Sequence, residues 1–288
     1  MGRTVPATAR ERRLAIPRLF TLIAVLALGL ASGAPAIAQC HQSIWIRDAV
    51  SHHWASSTQG IYADAQQRTL LVHNDIWGWG GVSWEPLPPA QPPDSPPGLL
   101  VSDRAAGTVL SVLAGSSPTL RTWGWDGQSW SMRSGAGPAY RTGLALTYDA
   151  ARGRPVLVGG QHSLNQNQFF GDMWEWVGDA WTLVPGAELP GRTGHRLACD
   201  EARGRLVLYA GRTATSGFSQ TTETWEFDGA AWSLASDGDD LSNATLVYHS
   251  GLQRVLAVAT DPAPRMREWT GSAWSALTSP PIKPRERV

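Results

Sequence analysis

The sequence predicts an all-β chain assembled from repeated two-hairpin sheets. All fifteen tryptophans fall in one recurring short pattern. Glycine sits inside the turn of every complete copy, and no stretch after the first 38 residues shows a 3.6-residue apolar period.

Thirteen of the tryptophans occupy five copies of a three-point signature: an aromatic, a second aromatic two residues on, and a Trp seven residues after the first. The copies are Trp77/Trp79/Trp84, Trp123/Trp125/Trp130, Trp174/Trp176/Trp181, Trp225/Phe227/Trp232 and a degenerate Arg267/Trp269/Trp274. Trp45 and Trp54 form a looser sixth copy. The closing tryptophans are 46, 51, 51 and 42 residues apart, a period that implies repeated supersecondary units.

Each complete copy reads as a hairpin. Gly81, Gly127, Gly178, Gly229 and Gly271 fall between the second and third aromatics, and two copies offer Asp-Gly, a strong short hairpin signal. With Asp126-Gly127 as a two-residue loop, Trp123 faces Trp130 and Trp125 faces Gln128. The same register pairs Trp77 with Trp84, Trp174 with Trp181 and Trp225 with Trp232, each pair adding about 0.5–1.5 kcal/mol beyond burial. Arg267 would meet Trp274 by a cation–π contact. Trp45 and Trp54 pair if Asp48 to Ser51 form a four-residue loop.

A second hairpin precedes each complete copy. Its clearest form is Leu144–Tyr148, Asp149, Gly153, then Val156–Val158 ending in Gly159-Gly160. Asp103/Gly107, Asp200/Gly204, Asp64/Arg68 and His249/Gln253 mark the others. Asp caps such a turn and Gly supplies its left-handed position. Each unit is therefore four short strands, and such units repeated radially make a β-propeller.

On these residues the chain resembles the Kelch-repeat family, related in fold to the central propeller of galactose oxidase. The resemblance is carried by Gly159-Gly160, by Tyr148-Asp149 with Gly153-Arg154, by the six-residue gap of Trp174 and Trp181, and by Pro190-Gly191-Arg192-Thr193-Gly194-His195. It covers about residues 56–277. One blade keeps both glycines, Gly115 and Gly211 survive singly, and the fifth blade is worn. Five first hairpins and six second hairpins leave two accounts open: five blades with the N-terminal hairpin on the closing seam, or a truncated six-blade ring.

The expected organisation is a secretory signal peptide at 1–38, an N-terminal hairpin at 39–56, the propeller at 57–278 and a tail at 279–288. Arg10, Arg12, Arg13 and Arg18 precede the apolar run Leu19–Ala31, and Ala36-Ile37-Ala38 offers a cleavage site. Arg12-Arg13 also fits twin-arginine export. Cys40 suggests a lipoprotein, although Gln39 stands where that site needs a small residue. The expected location is secreted, periplasmic or cell envelope, with no membrane span after signal removal.

Residues 1–38 hold five Arg and one Glu, so 24 − 5 = 19 basic and 24 − 1 = 23 acidic side chains remain, net −4. The only lysine is Lys283. Without a basic stripe, nucleic acid is not expected as a partner. Cys40 and Cys199 allow either a disulfide or, for Cys199, a buried thiol in the slot held elsewhere by Tyr148 and Tyr248.

No catalytic constellation stands out. His195 suits a structural hydrogen-bonding role, and His52-His53 lack carboxylate partners beyond Asp48. No zinc spacing exists, and Asp237-Gly238-Asp239-Asp240 lacks the ligand series of a calcium loop. The oxidase's copper centre does not carry over: the five tyrosines mostly hold repeat positions, and neither cysteine stands in a partner loop. Neither a sialidase-type Asp-x-Gly-x-x-Trp turn nor a Gly-x-Ser-x-Gly elbow occurs. No metal and no cofactor is expected.

Candidate binding residues lie instead in two long inter-hairpin loops, Gln161–Gly171 and Arg212–Thr222. The first offers His162, Asn165, Asn167, Phe169 and Phe170; the second offers Thr213, Ser216 and Phe218. Amides, hydroxyls and aromatics suit a neutral polar ligand. The leading expectation is a non-catalytic module holding a protein or carbohydrate partner. The alternative is an extracellular carbohydrate-active enzyme using His162 or His195 with nearby acids.

Overall fold

The computed structural model describes residues 59–277 except 73–74, 80, 82, 88–97, 114–117, 135–136, 163–164, 166, 215, 217–218, 242–243 and 260–264. The segments expected as signal peptide, as N-terminal hairpin with Trp45, Trp54 and Cys40, and as tail lie outside the described residues.

Five antiparallel four-stranded sheets follow one another along the chain. Blade one comprises β1 (Gln59–Ala63), β2 (Arg68–Val72), β3 (Ile76–Trp79) and β4 (Trp84–Leu87). Blade two comprises β5 (Leu99–Asp103), β6 (Thr108–Leu113), β7 (Arg121–Trp125) and β8 (Trp130–Ser134). An accessory strand, β9 (Arg141–Thr142), precedes blade three: β10 (Ala145–Asp149), β11 (Arg154–His162), β12 (Phe169–Val177) and β13 (Ala180–Leu183). β14 (Arg192–Thr193) precedes blade four, formed by β15 (Arg196–Asp200), β16 (Arg205–Tyr209), β18 (Thr224–Phe227) and β19 (Trp232–Ser236), with β17 (Arg212–Thr213) paired to β14. Blade five comprises β20 (Thr245–His249), β21 (Arg254–Ala259), β22 (Arg265–Trp269) and β23 (Trp274–Ala276).

The first strands pack on one another in series, β1 on β5, β5 on β10, β10 on β15 and β15 on β20. Arg104 shows that they surround a common axis. From blade two its guanidinium reaches Asp64 of blade one at 3.7 Å, Glu201 of blade four at 2.8 Å and the Tyr148 ring of blade three at 4.8 Å. Sheets laid out in a line cannot bring four blades to one side chain. The architecture is a β-propeller.

The outer hairpins differ from expectation in register. Trp79 faces Trp84, Trp125 faces Trp130, Trp176 faces Trp181, Phe227 faces Trp232 and Trp269 faces Trp274. The second aromatic, not the first, is therefore the partner of the closing Trp, with ring centroids 5.1–6.5 Å apart. The cause is the turn. Asp126 does not enter the loop centre; its Oδ1 accepts the amides of Gln128 (2.8 Å) and Ser129 (2.7 Å). Gly127, at φ +103°, then takes the first central position, as a glycine-first hairpin turn requires. Asp228 repeats the arrangement with Ala230 and Ala231.

In blade one the left-handed turn residue is Gln67, not Arg68. Arg267 does not stack on Trp274; it donates to the Trp274 carbonyl at 3.4 Å.

The core lies between blades, in four clusters joining blades one and two, two and three, three and four, and four and five. The closing tryptophans show how finely this packing is set. Trp181 Nε1 donates to Thr122 of blade two and Trp274 Nε1 to Thr224 of blade four. Where the equivalent residue is Ile76 or Met173, the Trp130 and Trp232 indoles find no acceptor.

Cys199 is fully buried in the core between blades three and four, where its sulfur accepts the Ala150 amide at 3.4 Å. Burial pushes its thiol up to about 12. The thiol thus fills the slot that Tyr148 and Tyr248 fill elsewhere; Cys40, the other half of the expected alternative, lies outside the described residues.

Candidate functional site

The candidate loops sit at one end of blades three and four, and a repeated buried device holds that end together. Arg141, on β9, is almost wholly enclosed. It donates to the carbonyls of Ala139 (3.0 Å) and Gly159 (3.2 Å), forms a two-pronged ion pair with Asp172, and lies 3.8 Å from the Phe170 ring centroid. Trp174 Nε1 donates to the same Asp172 carboxylate at 2.7 Å.

Fifty-one residues on, the arginine, its two carbonyls, the acid and the indole recur, while Thr221 stands in the place of Phe170. Arg192, on β14, donates to Pro190 O (3.0 Å), Ala210 O (3.0 Å) and Glu223 Oε2 (2.8 Å). Its guanidinium lies 5.3 Å from the Trp225 ring, whose Nε1 donates to Glu223 at 2.9 Å. Burying a guanidinium is tolerated because each of its three nitrogens meets a carbonyl or carboxylate. These two latches give the Trp174 and Trp225 positions a role the hairpin reading missed. Their signal was present in the sequence as an Arg followed 31 residues later by an acid, twice, at the repeat spacing.

The glycine pair makes the first latch possible. Gly159 and Gly160 have φ of +63° and +111°, and the register of β11 on β12 shifts there. A Cβ at Gly160 would stand 3.1 Å from Arg141 Cδ, and one at Gly159 would stand 2.8 Å from His195 Cε1. The pair also lets β11 continue past the bulge and pair with β9. As a result much of the expected first loop is strand: β11 runs to His162 and β12 begins at Phe169, leaving only a tip.

The two expected loops are brought together through β14. Leu189 donates its amide to Gly171 O at 2.9 Å, and a Cβ on Gly191 would stand 2.7 Å from Phe169 O. On its other side β14 pairs with β17, opposing Arg192 to Thr213 and Thr193 to Arg212. Gly194 also donates to Gly143 O at 2.8 Å, tying blade four to blade three.

Within this rim the candidates have different surroundings. Asn165 and Asn167 are exposed, and Phe169 and His162 are half-buried. The His162 and Phe170 rings lie 6.3 Å apart, and His162 Nδ1 accepts the Asn165 amide at 3.2 Å. Phe170 lies against Arg141. Thr213 is buried, and its hydroxyl and that of Ser216 accept each other's backbone amides at 3.1 Å, so they shape the second loop. Phe218 lies outside the described residues. Exposed Arg212, on the same rim, escaped the sequence reading.

His195 is enclosed. The Val158 backbone is only a weak partner, short of hydrogen-bond geometry at either ring nitrogen, so the expected hydrogen-bonding role gives way to packing against Gly159 and Gly211. Burial first, then the Arg192 and Arg196 charges, push its imidazole down to about 3 from 6.5. The unfolded chain then binds a proton below pH 6.5 that the folded chain refuses, so stability falls as pH drops from 6.5 towards 3. The expected loss is about 2 kcal/mol by pH 5. Urea midpoints at pH 7 and pH 5 check it: His195→Leu should remove most of that difference, and an unchanged pH response would show that His195 is protonated in the fold.

Among the described residues no three His, Cys, Asp or Glu side chains converge to hold a metal ion, and no helix is long and apolar enough to cross a membrane. No family model and no curated protein matches the chain. Among solved structures, that of YjhT superposes with a TM-score of 0.50 at 15% identity, covering 69% of this chain and 69% of that one. A fungal alcohol oxidase of the AA5 family, solved with copper, gives 0.49 at 14% identity, covering 76% of this chain and 53% of that one, so this chain spans about half its length. The likeness is one of fold, and together with the five sheets about Arg104 it places the chain among the β-propellers.

Proposed function

We propose that the chain is an exported, non-catalytic binding module that holds a glycan or a polar segment of a protein partner on the rim of blades three and four. The observation that supports this most is the position of β14, flanked by 169–171 on one side and by β17 on the other. It sets the amide-rich tip and the hydroxyl-rich loop on one pre-formed surface, anchored by two buried arginine latches. A surface held rigid before binding loses little entropy on binding. Asn165, Asn167 and Gln168 offer exposed amides, Arg212 a donor fork, and Phe169 a half-buried ring for a sugar or side-chain face. His195, in the fold's interior, is shut away from any substrate, and the arginines followed by the apolar run Leu19–Ala31 support export.

The test is a glycan array and a peptide array probed with the chain from residue 39. Replacing Asn165 and Asn167 together by Ala, or Phe169 by Ala, should weaken any hit about ten-fold or more. Binding unchanged in both variants would move the site elsewhere, and turnover of the bound glycan would overturn the non-catalytic reading.

A further inference from the structure

In four of the five blades the aromatic pair is turned back onto the blade before it. Trp125 and Trp130 pack on blade one, Trp176 and Trp181 on blade two, Phe227 and Trp232 on blade three, Trp269 and Trp274 on blade four. The turn between the first two strands reaches forward in the same rhythm. Gln66 Nε2 donates to Asp126 O at 3.2 Å, Arg152 lies 4.8 Å from the Phe227 ring, and Arg203 lies where a Cβ on Gly271 would be 3.1 Å away.

Blade one breaks the pattern on one side and blade five on the other. Trp79 and Trp84 form the same pair, with centroids 5.4 Å apart, yet no described blade precedes them. Strand register puts Tyr62, Leu71, Trp77, Trp79, Trp84 and Pro86 on this one face. Trp77 is 42% exposed and Trp79 half-buried, where their equivalents in the ring are half-buried (Trp123, Trp174, Trp225) and buried (Trp125, Trp176, Trp269). At the other lip, Leu252 holds the position of Gln66, Arg152 and Arg203 and is 44% exposed. A face carrying three indoles and a phenol is an interaction surface rather than a solvent surface.

The chain itself supplies a matching occupant. Residues 43–56, outside the described residues, carry Trp45 and Trp54, the sixth aromatic pair of the sequence. β1 begins at Gln59, five residues after Trp54, and five extended residues span about 17 Å. So short a tether gives the segment a millimolar effective concentration at this face, which a partner in trans must overcome. We infer that residues 43–56 dock on the Trp77/Trp79/Trp84 face of blade one, taking the place that a preceding blade takes for the other four.

A photo-crosslinker tests this in the full chain. p-Benzoylphenylalanine in place of Trp77, an exposed position, is irradiated at low concentration and the crosslinked peptides are mapped. The expected result is an intrachain crosslink to 43–56, falling about ten-fold when Trp45 and Trp54 are both changed to Ala. The same probe at Pro86, on the same face, covers the case in which the Trp77 variant misfolds. A crosslinked dimer, a crosslink to blade five alone, or no crosslink at either position would overturn the inference, as would a yield indifferent to the two tryptophans.

Discussion

Replacing Trp176 by Ala should cost about 3–5 kcal/mol, while the same change at Trp174, two residues away, should cost roughly 1–2 kcal/mol. Trp176 is 4% exposed, meets Trp181 edge-on at 5.2 Å, and packs with it on Val101, Leu110 and Val112 of blade two. Its removal opens a cavity in a junction between blades that has no way to collapse, because both sheets are fixed by their ladders. Trp174 is half-buried beside the Arg141 latch and gives up one hydrogen bond to Asp172. For a domain of this size the larger loss lowers the melting temperature by about 10 °C or more. Thermal melts of the two variants read the difference directly. Equal losses, or a larger loss at Trp174, would favour the register in which the first aromatic faces the closing Trp.

That register is where reading the sequence went astray, and the reason is instructive. Tryptophan spacing and turn glycines sufficed for the five four-stranded units, because each unit must bury two aromatic-rich faces and no helical period competes. The turn could not be settled the same way. Asp-Gly fits the two centre positions of a hairpin, but an Asp one place earlier can cap the turn with its carboxylate, and Asp126 and Asp228 do so. The placement of Gly81, Gly178 and Gly271 without a preceding Asp was the available clue that glycine, not the dipeptide, was the constant. The site was legible as two polar loops on neighbouring blades, but not in its mechanics. Nothing local in Thr213 or Ser216 says that their hydroxyls serve each other's amides, or that His195 is sealed beneath Gly159 and Gly211. Those facts depend on β9 and β14, two-residue strands too short to leave a period.

The largest electrostatic effect is expected at the second latch. Arg192 is fully enclosed, and Glu223 supplies its countercharge at 2.8 Å. Glu223→Gln keeps the shape of the acid but leaves a buried guanidinium without a compensating charge, at an expected cost of about 3 kcal/mol. Arg192→Met strips donors from the Pro190 and Ala210 carbonyls as well as from Glu223, and belongs in the same range or above. Because both changes break one ion pair, the double variant should lose less than the sum, with a coupling energy of about 1–3 kcal/mol. Urea titrations of the four proteins measure it; strict additivity would mean that solvent already screens the pair. A structural consequence separates the latch from ordinary core packing. Arg192 is a residue of β14, so its loss should free the β14–β17 pairing and raise hydrogen exchange at Arg212 while leaving β15 and β16 protected. If the rim of blades three and four is the binding surface, the same variant should bind more weakly without any contact residue having been touched. The sheets of a propeller are held by indoles between blades; its end face here is held by two buried arginines. Stability and binding therefore draw on different residues, and mutation can separate them.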